Sequence, residues 1–125
     1  QGVKTILTDV LEIVGQTLEK QYYVFSSSSI RPYLYKALPI FTNQRIKKGI
    51  KVQAVAIGSG GEEAKLAERK WLTKNEGSPT YILIYAGKVA MISVNQDKEP
   101  LGLIIEDQAL YQTQLQLFQF IWQAL

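Results

Sequence analysis

Val3, Ile6, Leu7, Val10, Leu11 and Val14 recur at steps of three and four, which places them on one helix face and predicts an amphipathic opening helix with Gly15 as its stop. The period then changes. Residues 22–25 are aromatic and β-branched and predict a short buried strand. Ser26, Ser27, Ser28 and Ser29 follow, then Arg31 and Pro32. Serine before a helix and proline just inside it predict a second helix there. Its inner side carries Leu34, Leu38, Phe41 and Ile46, and Lys47, Lys48 and Gly49 end it. Pro39, which has no N–H to donate, should kink or divide it. Residues 50–57 alternate Ile50, Val52, Ala54 and Ala56 against Lys51, Gln53, Val55 and Ile57, a strand buried on both faces towards its end.

Gly58, Ser59, Gly60 and Gly61 form a flexible loop. Residues 62–70 are charged, with Ala64, Leu66 and Ala67 as a thin apolar face, and predict a weak helix. Residues 80–85, 88–94 and 101–106 predict three strands of an antiparallel meander, joined by Ala86 and Gly87 and by a polar turn over 95–100. The clearest helix is 109–125, where Tyr111, Leu115, Phe118, Trp122 and Leu125 step by 4, 3, 4 and 3. Leu110, Leu117, Ile121 and Ala124 widen its apolar face. This order predicts an α/β fold, a single mixed sheet flanked by helices, with parallel strands around the 22–57 crossover. At 125 residues one domain is expected.

A net charge of +3 is mild and falls short of a nucleic-acid-binding composition. Arg45, Lys47, Lys48 and Lys51 read as a solvated helix end. No apolar stretch approaches the ~20 residues that span a bilayer, so no membrane partner is expected. No signal peptide is visible, since the sequence opens directly on the amphipathic helix, and none is expected. The absence of cysteine excludes a disulfide scaffold and suits a reducing cytoplasm. The chain opens without Met, which predicts that it is cut from something longer.

There is no histidine and no cysteine. The commonest nucleophiles, the usual proton shuttle near neutral pH and most soft metal ligands are therefore missing. Carboxylates, Lys and Tyr could still catalyse, but the composition favours binding and regulation. The first candidate ligand contact is Ser26, Ser27 and Ser28 with Arg31, since a loop after a strand and before a helix suits an anion or a hydroxyl-rich ligand. The plainer reading is a helix cap. The second candidate is Arg69 with Trp71, a guanidinium beside an indole face, against a plainer reading of Trp71 as a cover for the core. The glycines at 58–61 lack the Gly-Lys-Ser/Thr of a phosphate-binding loop and read as a turn. Glu62, Glu63, Glu68, Glu106 and Asp107 show no metal-binding spacing, and Glu106 and Asp107 read as the start of the last helix. No metal and no cofactor are expected. Tyr111, Leu115, Phe118 and Trp122 are the candidate homodimer contact, against the alternative that they are all core.

Residues 81–93, 100–107 and the closing 118–122 helix carry a recognisable pattern, with support from 45–52, 68–72 and the opening Gly2, Val3, Lys4, Asp9, Val10 and Leu11. In these the chain resembles the effector domain of TrmB-type transcriptional regulators. The resemblance implies a fold like one half of phospholipase D, whose enzymes carry His-x-Lys-x(4)-Asp on adjoining strands. Here that pattern falls on Ala86, Lys88 and Ser93. Only the lysine remains, so phosphodiester cleavage by that route is excluded, and Lys88 reads as an exposed hairpin residue. The resemblance further implies a noncatalytic regulator that is a homodimer, binds a small-molecule effector such as a sugar, and touches DNA through a winged-helix domain preceding this region. Sugar-binding members also carry a β-rich portion after it. The competing reading is a dimerisation module with no ligand pocket.

Overall fold

The computed structural model describes residues 2–61 and 64–125. The opening periodicity becomes α1 (Val3–Gly15), and all six of its predicted inward residues are buried. Then come β1 (Gln21–Ser27), a 3-10 turn (Ser28–Ile30), α2 (Arg31–Ala37), α3 (Phe41–Lys47) and β2 (Lys51–Ile57). As its missing N–H requires, Pro39 divides the second helix into α2 and α3. The chain continues through β3 (Ala67–Thr73), β4 (Thr80–Tyr85), β5 (Lys88–Val94), β6 (Pro100–Glu106) and α4 (Gln108–Ala124).

The weak helix expected over 62–70 is corrected: Glu62 and Glu63 lie outside the described residues, and residues 67–70 belong to the strand β3. The physical reason is pairing. Val52 through Ala56 run parallel to Ala67 through Trp71, so the sheet satisfies backbone groups that a thin apolar helix face could not bury. The β4–β5 connection matches the expectation of a tight turn. Ala86 and Gly87 both take positive φ, 45° and 80°, the combination that fits a two-residue hairpin to the strand twist.

The six strands form one mixed sheet in the order β3-β2-β1-β4-β5-β6. β1, β2 and β3 are parallel, and β4, β5 and β6 continue antiparallel from β1. Helices cover both faces. On one face α1 packs with Tyr22, Val24, Val52, Leu83, Tyr85 and Ile92. On the other, Phe118 of α4 is fully buried against Val55 and Ile84, with rings of Tyr23 and Phe25 at 5.2 Å. Asp107 caps α4, its carboxylate accepting from the amides of Ala109 and Leu110 at 2.9 and 3.1 Å.

Two side chains expected at the surface are corrected. Lys88 is 17% exposed and its ammonium lies 3.1 Å from Asp9 Oδ2. The same oxygen accepts from the Tyr85 hydroxyl at 2.7 Å, so this triad ties α1 to the β4–β5 hairpin. Arg45 is 3% exposed. Its guanidinium donates to Ile50 O at 2.8 Å, Lys65 O at 2.9 Å and Leu66 O at 3.3 Å. The charged head thus lies inward at the end of α3 and fastens the entries to β2 and β3.

Three substitutions test these contacts by urea unfolding. Phe118→Ala should cost about 3–5 kcal/mol, the price of an emptied aromatic site, whereas Phe120→Ala, at a residue 72% exposed, should stay within about 0.5 kcal/mol. Arg45→Met keeps the stem but strands three carbonyls, and should cost at least ~3 kcal/mol.

Candidate functional site

A cavity of about 670 Å³ lies between the β1–β3 face and the α2–α3 segment, in the size range of small-molecule sites. Sheet register explains where it opens. Tyr22, Val52 and Ala67 form one cross-strand row; Val24, Ala54 and Arg69 form the next; Tyr81, Ser26, Ala56 and Trp71 form the third. Side chains two apart on a strand share a face, so these rows lie side by side. Ser26, Ala54 and Ala67 are small, and their shortness leaves the hollow that Leu7 and Leu38 border. Arg31 and Tyr35 from α2 and Phe41, Thr42 and Arg45 from α3 close it from above.

Of the residues singled out in the sequence, Ser26, Arg31, Arg69 and Trp71 line this cavity. Ser27 and Ser28 are not among its lining residues. The Ser27 hydroxyl is buried and shares a 2.9 Å hydrogen bond with Ser29, which in turn donates to Gly77 O at 3.1 Å. Ser28 packs against Gly58, where a Cβ would collide with its hydroxyl. No serine side chain caps the turn or α2. Trp71 is 38% exposed and sits at the rim, with Lys74 Nζ 5.1 Å from its ring centroid.

The site is cationic and phenolic. Burial, reinforced by the charge of Arg31, lowers the pKa of Arg69. Arg31 Nη2 reaches Gly60 O at 3.3 Å, and the two guanidiniums converge on Gly61, where any Cβ would collide with both. Gly61 has φ of 106°, a conformation that side chains rarely adopt. Tyr22 and Tyr81 form neighbouring parts of the floor. Burial raises both hydroxyls, Tyr81 to about 12, with the charge of Arg45 opposing the rise. Sequence reading missed Tyr22, Tyr81 and Arg45 as site residues. The two tyrosines carried only a strand signal, and Arg45 sat in a run of cations that resembled a helix end.

Of the four residues expected at a dimer contact, Phe118 is buried, and Tyr111, Leu115 and Trp122 are partly buried against the same cluster. Tyr111, Leu115, Phe118 and Trp122 pack on the sheet of their own chain. The large apolar residues that α4 leaves exposed are Leu110, Leu117 and Phe120, and the sheet adds Trp71, Leu72, Met91, Leu101 and Leu103. Register places Met91 beside Leu103 on adjacent strands. Among the described residues no group of acidic side chains could hold a metal ion, and no helix is long and apolar enough to cross a membrane.

The raised Tyr81 value predicts alkaline sensitivity. The folded protein keeps this proton up to about 12, whereas the unfolded chain releases it near the ordinary value of 10.0. Stability is therefore complete below the unfolded value and falls as pH rises towards the folded one. Melting temperature followed over this alkaline range should drop in the native sequence. The drop should be smaller in Tyr81→Phe; an identical drop in both would remove Tyr81 as a contributor.

No protein-family model matches the chain, and no curated protein matches its sequence. Among solved structures, 99% of the chain superposes on TrmBL2, described as an archaeal chromatin protein with a novel mode of DNA binding, with a TM-score of 0.54 and 12% sequence identity. The matched region is 51% of that protein, so the chain is similar in fold to about half of TrmBL2.

Proposed function

We propose that the chain is the noncatalytic effector-sensing part of a TrmB-like transcriptional regulator. The observation that carries this reading is the cavity on the parallel strands, which joins both sequence candidates, Arg31 from the serine segment and Arg69 with Trp71 from β3. The fold likeness to TrmBL2, a protein described as binding DNA, supports the regulatory context. Contacts with DNA would be made by a winged-helix domain outside this chain. The cavity is walled by separate elements, α2 and α3 above and β1–β3 below. A small metabolite that bridges them favours the arrangement in which they are closed. It can alter a dimer, and through it DNA affinity, only by that difference in binding energy.

The second reading, a dimerisation module without ligand, is favoured by Leu110, Leu117 and Phe120 on the outward side of α4. In either reading the partner is a second copy of the chain, and α4 supplies the contact from its outward residues. A thermal-shift screen with neutral sugars, phosphorylated sugars and nucleotides separates the two. Sensing predicts that at least one class raises the melting temperature, because binding to the native state alone stabilises it. Silence across all classes, together with a dimer by light scattering, would leave the dimerisation module. A dimer should fall apart to monomers on Leu117→Glu with Phe120→Glu, two charges on an exposed face that the folded monomer tolerates.

A further inference from the structure

We propose that the cavity takes a phosphorylated small metabolite, whose phosphate monoester lies between Arg31 and Arg69. This rests on the sensing reading above and names the ligand class for the same site. Three guanidiniums meet the cavity, and they differ in what holds them. Arg45 spends its donors on three backbone carbonyls. Arg31 has one long bond to Gly60 O at 3.3 Å. Arg69 has no hydrogen-bonded partner among the described residues. The one ion pair among those residues is Asp9 with Lys88, on another part of the sheet. Two like charges are thus brought together around Gly61; Glu68 of β3 also lines the cavity, but its carboxylate accepts from Gln53 Nε2 at 3.5 Å and makes no ion pair with either arginine among the described residues. Burial and the neighbouring charge of Arg31 both work against the charged form of Arg69.

An anion placed between the two guanidiniums removes both penalties at once. A carboxylate brings one negative charge. A phosphate monoester brings about 1.5 to 2 charges near neutral pH and three acceptor oxygens, which matches two guanidinium forks better. Gly61 makes the convergence possible, since a side chain there would occupy the space of both guanidiniums. The remainder of the ligand meets Ser26, Tyr22 and Tyr81 on the floor and Trp71 at the rim. Neutral hydroxyls and an indole face suit a hydroxylated or planar group. The shared chemistry is the phosphate monoester, whether its carrier is a sugar or a nucleoside.

The full chain is titrated with inorganic phosphate, glucose 6-phosphate, AMP and glucose at constant ionic strength, reading melting temperature and heat of binding. The proposal expects stabilisation by at least one phosphate monoester and by inorganic phosphate, with Arg69→Gln and Arg31→Gln each weakening it about tenfold or more, a loss of about one charge-assisted contact. In chloride alone Arg69→Gln should melt no lower than the native sequence, because it removes a repulsion; a lower melting temperature would mean that the fold itself needs the charge, and would overturn the pairing. A stronger response to glucose 6-phosphate assigns a sugar carrier, and a stronger one to AMP a nucleoside carrier. If glucose stabilises the chain as well as glucose 6-phosphate does, and Arg69→Gln changes nothing, sensing stands and the phosphate site falls. If the whole sugar and nucleotide screen is silent, both fall. Phosphate binding that appears only after Glu62→Gln with Glu63→Gln would identify an internal counter-charge and likewise overturn the proposal.

Discussion

The Arg45 guanidinium is the constraint on which the site's architecture depends. Among the described residues it has no carboxylate partner; it is buried and satisfied by the carbonyls of Ile50, Lys65 and Leu66. A cation in such a place is tolerated only when its donors are matched, since desolvation is otherwise too costly. The match does more than remove a penalty. β3 is an edge strand, parallel to β2, so no tight hairpin sets its register. The bonds to Lys65 and Leu66 fix the chain immediately before β3 begins. Leu66 holds a positive φ of 63°, which is uncommon outside glycine, and the Arg45 contact helps to keep it there. With that entry fixed, register carries Arg69 and Trp71 to the cavity. Because the partners are neutral carbonyls, the charge of Arg45 is not cancelled. It remains in the cavity wall and opposes the rise of the Tyr22 and Tyr81 pKa values.

The two faces of the sheet divide the work. The α4 face is closed by aromatic packing, with Phe118 between Tyr23, Phe25 and Trp122 at ring distances of 5.2 to 5.8 Å. Large rings there fill the space between layers. The opposite face is filled by α1 over β4 and β5, but over β1–β3 its floor is Ser26, Ala54 and Ala67. Two short helices separated by Pro39 cross that floor in place of one long one. These helices are only seven residues long each, and the small floor residues leave a volume beneath them. Sheet, proline and small side chains together make a hollow where most of the sheet makes a core.

Much of this was legible in the amino-acid pattern. Residues whose partners lie nearby in sequence announced themselves: the face of α1, the β4–β5–β6 meander, the Pro39 break and the α4 seam. So did the class of fold, a mixed sheet flanked by helices. What was hidden depended on distant partners. β3 has mostly charged or exposed residues because it is an edge, so its strand character comes from β2 rather than from its own periodicity. Lys88 and Arg45 looked like surface cations because Asp9 and the Lys65–Leu66 carbonyls are far away along the chain. Of the candidate site, the local cues found Ser26, Arg31, Arg69 and Trp71, while Tyr22 and Tyr81 came into the site only through strand pairing. The α4 periodicity gave the seam but not the residues that meet it; Tyr23 and Phe25 pack on Phe118.

The distribution of positive charge then follows one logic. At the hairpin Lys88 is paired with Asp9, and Tyr85 takes a further lone pair of the same carboxylate. Ala86 adds no functional side chain there, and the lysine is held in an ion pair. On the parallel strands the opposite holds. Arg31 and Arg69 approach one another with no ion pair to either among the described residues, beside protonated tyrosines. A charge satisfied inside its own fold stabilises that fold, while a charge left unsatisfied gives a ligand something to do. By that criterion the Asp9–Lys88 pair stabilises the fold, and the proposed ligand site lies under the divided helix.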